Sequence, residues 1–387
     1  MLRTSKLHLV PHRPVMLVAN DDALDVDWTV EPDWRRNPIE IDEPERLHIA
    51  WIMSPPGRES GGHQNLFRFI KFAENAGHTC SVYFYNATGI PVSIPDVRAM
   101  IADADAYPDV DASFQMWDRE TGVDPRAQVL FATGWETAYP AYLDRSRARR
   151  LYFVQDFEPS FYPVGSEALL AENTYRFGFR AITAGGWLST RLHDEYGMWT
   201  RHFDFAVDRS KYHVTNTGRR DEIFFYARPV TARRAFEFGL LALEEVARQR
   251  PDITINLAGW NVSNWVIPFR HENLSSLDIS ELNEVYNRCG AALVLSLTNM
   301  SLLPLELISS GVAPIVNDAP NNRLVSDNPY IEYVPPVPAV IARRIIEVLE
   351  REDAPERSAA MSASLAETDW SHAGAQFLAA LQEAVRA

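Results

Sequence analysis

Three stretches of this sequence predict an α/β chain made of two doubly wound, Rossmann-like domains. In the first stretch, an apolar run over 47–53 passes through a loop containing Gly61 and Gly62 into an amphipathic pattern, and a second apolar run covers 79–85. In the second, an apolar run over 223–227 leads through an arginine-rich turn into a helical pattern over 235–248 and another run over 253–258. In the third, residues 291–295 lead into a polar loop, then Pro304, Gly311 and a short apolar run over 312–316. Strand, loop, helix and strand in that order make the βαβ crossover of a buried parallel sheet. At 387 residues the chain has material for two such cores.

Taken in order, residues 1–45 are rich in Pro, Asp, Glu and Arg with little periodicity, an N-terminal extension with a hint of an added strand over 11–19. The first domain is expected over 46–205. Its opening helix carries Leu66, Phe67, Phe69, Ile70, Phe72 and Ala73 on one stripe and stops near Gly77. Gly61 and Gly62 permit a tight turn there, with His63 beside them. Strands follow over 129–133, 151–154 and 180–183. The second of these runs into Gln155, Asp156 and Glu158, then into aromatic and proline residues. Polar groups at a strand's carboxyl end, followed by rings, suit the lip of a cleft, and paired carboxylates there can serve acid–base chemistry. Residues 206–220 read as a linker and 221–365 as the second domain, with 366–387 a terminal helix crossing back to the first domain.

In the second domain, Arg228 and Arg233 stand at a strand-to-helix turn, where guanidinium groups can hold a pyrophosphate through paired hydrogen bonds. Pro304 suits a first helical turn because its missing N–H would have had no partner there. Amides near Leu302 and Leu303 then point into the crevice at the sheet's carboxyl edge, which favours an anion. Glu306 is the only acidic residue between Ala291 and Asn317.

Residues 290–317 and 221–239 resemble the donor-binding segments of retaining GT-B glycosyltransferases of the family-4 type, most closely a branch containing bacterial rhamnosyltransferases of polysaccharide synthesis. The resemblance implies two Rossmann-like domains facing across a cleft, and transfer of a sugar from a nucleoside diphosphate donor to a glycan or lipid-linked glycan with retention. It points to dTDP-rhamnose as donor and to no separate cofactor. It assigns Glu306 to the nucleotide ribose and Arg228 and Arg233 to the pyrophosphate. Asn299 takes the place of the family's first glutamate, in a loop that also holds Ser301. Gly259 and Leu274 fall in the nucleotide pocket, Gly61, Gly62 and His63 in the cleft loop, and Gln155 and Asp156 beside the transferred sugar. Arg234 stands where the family has glycine.

Composition narrows the alternatives. A net charge of −15 argues against a broad nucleic-acid-binding face. Cys80 and Cys289 lie far apart and read as free thiols of a reducing compartment. No run of eighteen apolar residues occurs, so the expectation is a cytoplasmic protein, with peripheral contact at the inner face of a membrane left open. Asp25/Asp27, Asp103/Asp105 and Asp109/Asp111 spell Asp-x-Asp, but none follows a convincing strand, so no metal site is expected. A nucleotide-sugar 2-epimerase of the same architecture and a catalytically silent nucleotide-sugar binder remain as alternatives.

Overall fold

The computed structural model describes residues 16–58 and 60–386. Its first sheet contains β1 (His48–Met53), β2 (Thr79–Phe84), β3 (Ser113–Met116), β4 (Val129–Ala132), β5 (Arg149–Val154), β6 (Arg180–Ala184) and β7 (Thr200–Phe203). The second contains β8 (Glu222–Tyr226), β9 (Ile255–Ala258), β10 (Glu272–Ser275), β11 (Cys289–Val294), β12 (Ala313–Asn317) and β13 (Glu332–Val334). Spatial order is β3-β2-β1-β4-β5-β6-β7 in one and β10-β9-β8-β11-β12-β13 in the other. All neighbouring pairs are parallel. In each sheet the chain winds outward in one direction and then restarts on the other side. Strand order therefore reverses between β1 and β4 and again between β8 and β11, opening a crevice beyond the carboxyl ends at each reversal.

The central strands are apolar throughout because helices cover both faces: five of the six residues of β1 and all four of β4 are buried. The helix Gly61–Asn75 buries Leu66, Phe67, Phe69, Ile70 and Ala73. Gly61 and Gly62 are its first two residues and neither has positive φ, so the tight turn expected of them is absent. A Cβ at Gly62 would stand 3.6 Å from Gln155 Nε2, an ordinary contact, so glycine is not sterically required there. In the second domain, Gly239 is required sterically. A Cβ there would sit 2.3 Å from Phe225 Cζ, so glycine alone lets the helix Phe236–Gln249 press against β8.

Two further segments complete the first domain. The helix Trp370–Arg386 lies on it, with Phe377 among Trp51, Phe69, Phe131 and Phe153 and Glu383 paired to Arg201 at 2.7 Å. On the opposite face, the short helices Asn20–Asp25 and Asp33–Arg36 cover the sheet. Trp34 is buried there against Tyr142 and Phe179. Of the strand hinted at over 11–19, residues 11–15 lie outside the described residues, and 16–19 simply lead into the first of these helices.

Candidate active site between the two sheets

The second domain contributes positive charge. Beyond β8, Arg228 donates from Nη1 to the carbonyl of Gly259 at 3.3 Å. Gly259 has φ +107°, and a Cβ there would stand 2.5 Å from the Tyr226 ring, so the turn that carries this carbonyl needs glycine. A short 3-10 turn, Ala232–Arg234, precedes the main helix, and Ala235 bridges the two with φ +47°. Arg233 lies 4.1 Å over the ring of Phe161 from the first domain. Arg234, seen in the sequence only as a replaced glycine, reaches inward to Ser296 Oγ at 2.9 Å. Burial lowers its pKa, as do the charges of Arg233 and Arg228, against the opposing pull of Asp156. Three guanidinium groups thus sit close enough to repel one another, which is the electrostatic signature of a seat for an anion.

The loop between β11 and the helix Leu303–Ser309 is held rigid by asparagines that the sequence reading passed over. Asn317 exchanges two hydrogen bonds with the Ser296 backbone, at 2.8 and 2.9 Å, and Asn321 adds another at 3.0 Å. This fixes Asn299 at the domain boundary, where its Nδ2 donates to the carbonyls of Gln155 and Ala184 at 3.0 and 2.8 Å. Two buried oxygens of the loop, Asn299 Oδ1 and Ser301 Oγ, have no hydrogen-bond partner among the described residues. Such groups are costly unless something satisfies them.

Asp156, beyond β5, crosses to this loop. Its carboxylate accepts from the Asn299 amide at 2.9 Å and from Thr298 Oγ1 at 3.1 Å, and pairs with Arg233 Nε at 3.2 Å. Gln155 is tied within its own domain, accepting from Asn65 at 3.0 Å and donating to the Gly62 carbonyl at 3.1 Å. Glu158 is a correction to the sequence reading, which put it at the cleft. It is 8% exposed, and its carboxyl accepts from Trp135 N–H and from Tyr152 at 3.0 Å beneath the floor. Burial and the neighbouring Glu136 push its pKa well above the usual carboxyl range. It supports the site from below.

His63 bonds to Ser60 Oγ at 2.7 Å and to the Ser54 carbonyl at 3.0 Å, and burial lowers its pKa. Leu274, on the edge strand β10, packs against the core. The helix after the β11 loop starts at Leu303 with Leu302 as its cap, so the first-turn amides there lie beyond the reach of intrahelical partners. Glu306 is half-buried, and burial raises its pKa to about 7 while Arg68 from the first domain pulls it back down. Among the described residues no three His, Cys, Asp or Glu side chains gather as a metal would need, and no helix is long and apolar enough to cross a membrane.

Two facing Rossmann-like sheets with a cationic crevice on the second define the GT-B fold. Solved structures share it: HepE from Anabaena, in complex with UDP and glucose, is 11% identical with a TM-score of 0.64, over 86% of this chain and 98% of that one. TarM from S. aureus, in complex with Fondaparinux, alpha-GlcNAc-glycerol and UDP, is 7% identical with a TM-score of 0.65, over 87% and 99%. A putative UDP-N-acetylglucosamine 2-epimerase from Listeria monocytogenes is 11% identical with a TM-score of 0.55, over 86% and 95%. Residues 114–184 match the N-terminal domain of WsaF, and residues 221–346 match its C-terminal domain. The O-antigen biosynthesis protein RfbC of Myxococcus xanthus is 30% identical over 283 residues, which are 71% of this chain and 22% of that protein. This chain therefore spans about a fifth of that relative's length. The chain thus carries the two WsaF-type domains in order and has the GT-B fold.

Proposed function

We propose that this protein transfers a hexosyl or deoxyhexosyl group from a nucleoside diphosphate sugar to a hydroxyl of a glycan or lipid-linked glycan, in assembly of a bacterial surface polysaccharide. The observation that carries this reading is the trio Arg228, Arg233 and Arg234 at the second sheet's switch point, beside a loop whose Asn299 and Ser301 oxygens await partners. Arginines at that place can stabilise the departing pyrophosphate as charge develops on it. Glu306, one turn into its helix, can accept from ribose hydroxyls. Rhamnose as the sugar, dTDP as the nucleotide and retention of configuration rest on the family resemblance. The name of RfbC, an O-antigen biosynthesis protein, supports the polysaccharide context.

The test is a thermal-shift screen with dTDP-, UDP- and GDP-sugars, followed by nucleotide release in the presence of glycoside acceptors. Stabilisation by one class and acceptor-dependent release support transfer. The epimerase likeness favours a second reading, which the products separate. An epimerase yields altered or free sugar with no acceptor, and a silent binder yields stabilisation without turnover.

A further inference from the structure

The crevice at the first sheet's switch point contains a carboxylate that the reading above does not use. Glu136 lies in the first turn of the helix Trp135–Leu143, directly after β4. Its side chain folds back over Gly134, so that a Cβ there would stand 2.8 Å from Oε2 and 2.9 Å from Oε1. The Ser54 hydroxyl, just past the end of β1, lies near enough to favour its charged form against the effect of burial. Ser54 is in turn fixed by His63, whose Nε2 lies 3.3 Å from Ser54 Oγ and 3.0 Å from its carbonyl. The carboxylate therefore lies between residues that follow the two strands flanking the reversal, Ser54 after β1 and Gly134 after β4. Unlike Glu158 beneath it, it keeps contact with solvent.

We propose that Glu136 binds the acceptor, receiving a hydrogen bond from a hydroxyl of a neutral sugar. This rests on the transfer reading above. Two carboxylate oxygens offer about four acceptor positions, which leaves capacity for a sugar hydroxyl beside Ser54. A bond to an ionised acceptor is of the stronger kind. Burial raises the carboxyl's pKa, so a hydroxyl donor to the charged form meets an under-solvated partner. The Glu136 carboxylate offers acceptors and no cation of its own, so this crevice suits a hydroxyl donor rather than a phosphate, whereas the arginines opposite attract the donor's. The two crevices thereby sort the two substrates by charge.

Two variants test it: Glu136→Gln, which keeps the shape, and Gly134→Ala, which displaces the carboxylate without removing it. Gly134 has φ −155°, which alanine adopts freely. The measurements are calorimetric affinity for UDP and dTDP, and kcat/KM for octyl glucoside and octyl rhamnoside with UDP-glucose and dTDP-rhamnose as donors. Both variants should lower acceptor kcat/KM by about tenfold or more, with nucleotide affinity within about twofold of wild type, the loss expected for a charge-assisted bond. Acceptor kinetics unchanged in Glu136→Gln overturn the inference. So does a parallel loss of nucleotide affinity, which marks a structural role. If wild type transfers from neither donor yet melts normally, it is the transfer reading that fails, and this inference falls with it.

Discussion

The two switch points share one topology and carry opposite chemistry. Between β1 and β4 the chain presents Ser54, His63 and Glu136, with Asp156 next along the sheet edge. Between β8 and β11 it presents Arg228, Arg233 and Arg234 above a loop braced by asparagines. Strand order alone decides that each edge has a crevice, since that follows from where the winding reverses. What each crevice holds depends on a few loop residues that the sheet does not constrain. The contact between the edges is itself electrostatic: Asp156 gives its carboxylate to an amide, a hydroxyl and an arginine of the opposite domain. That is the set of donors a phosphate would also seek.

The strongest way to break this contrast is to remove the central cation. Arg233→Ala should lower turnover by about a hundredfold, the scale of losing one donor to a developing charge, and weaken nucleoside diphosphate binding by about tenfold. Calorimetry and steady-state rates measure the two. If neither moves, the cationic crevice is not the donor's seat.

Glu306 tests the same domain through its exception, a half-buried carboxylate that feels Arg68 of the first domain. Glu306→Gln should weaken UDP binding by about 1.5–3 kcal/mol, and dTDP, with one hydroxyl fewer, should lose less. In wild type, donor affinity should fall as pH drops through about 7, where the carboxyl gains a proton and loses acceptor capacity, whereas the variant should show no such step. The stability effect runs the other way. The folded pKa is raised, so between the ordinary value of 4.5 and about 7 the folded state binds more protons than the unfolded one. Wild type without ligand should therefore lose stability relative to Glu306→Gln as pH rises across that window, by about 1–3 kcal/mol at pH 8 and by nothing measurable at pH 4. Melting curves of both proteins at several pH values decide it.

Asp156→Asn sharpens the comparison at the junction. It keeps the shape and removes the charge that Arg233 faces, so turnover should drop about tenfold while nucleoside diphosphate affinity stays within about threefold. A double-mutant cycle with Arg233→Ala should show coupling of about 1 kcal/mol, since the two touch. Zero coupling in folding stability would mean that the pair is incidental. The smallest effect expected is from excess EDTA, which should leave transfer unchanged because arginines carry the phosphate charge. Loss of activity restored by Mn²⁺ would refute that proposal.

Residue order was enough to place the long elements, because a strand buried on both faces must be apolar throughout and a half-buried helix must repeat every three to four residues. That is why β1, β2, β8 and β11 and the helices after β1 and β8 could be read directly. The helix Trp135–Leu143 could not: Trp135, Thr137, Ala138, Tyr139, Ala141 and Tyr142 are all buried, so no polar face marks a period, and Pro140 inside it reads as a breaker. Hiding that helix hid Glu136. Short edge strands such as β3 and β13 were lost for a related reason, since they are half exposed and carry no apolar run. Arg228, Arg233 and Glu306 were legible because their chemistry stands at a strand-to-helix turn and in a motif. That Glu158 lies under the floor, that Arg234 points in toward Ser296, and that Asp156 spans to Asn299 were decided by the tertiary structure alone. Arg234 and Asp156 meet their partners across 62 and 143 residues, and Glu158 is set by a helix the sequence did not reveal. How far burial shifts a carboxyl or a guanidinium is likewise not encoded locally.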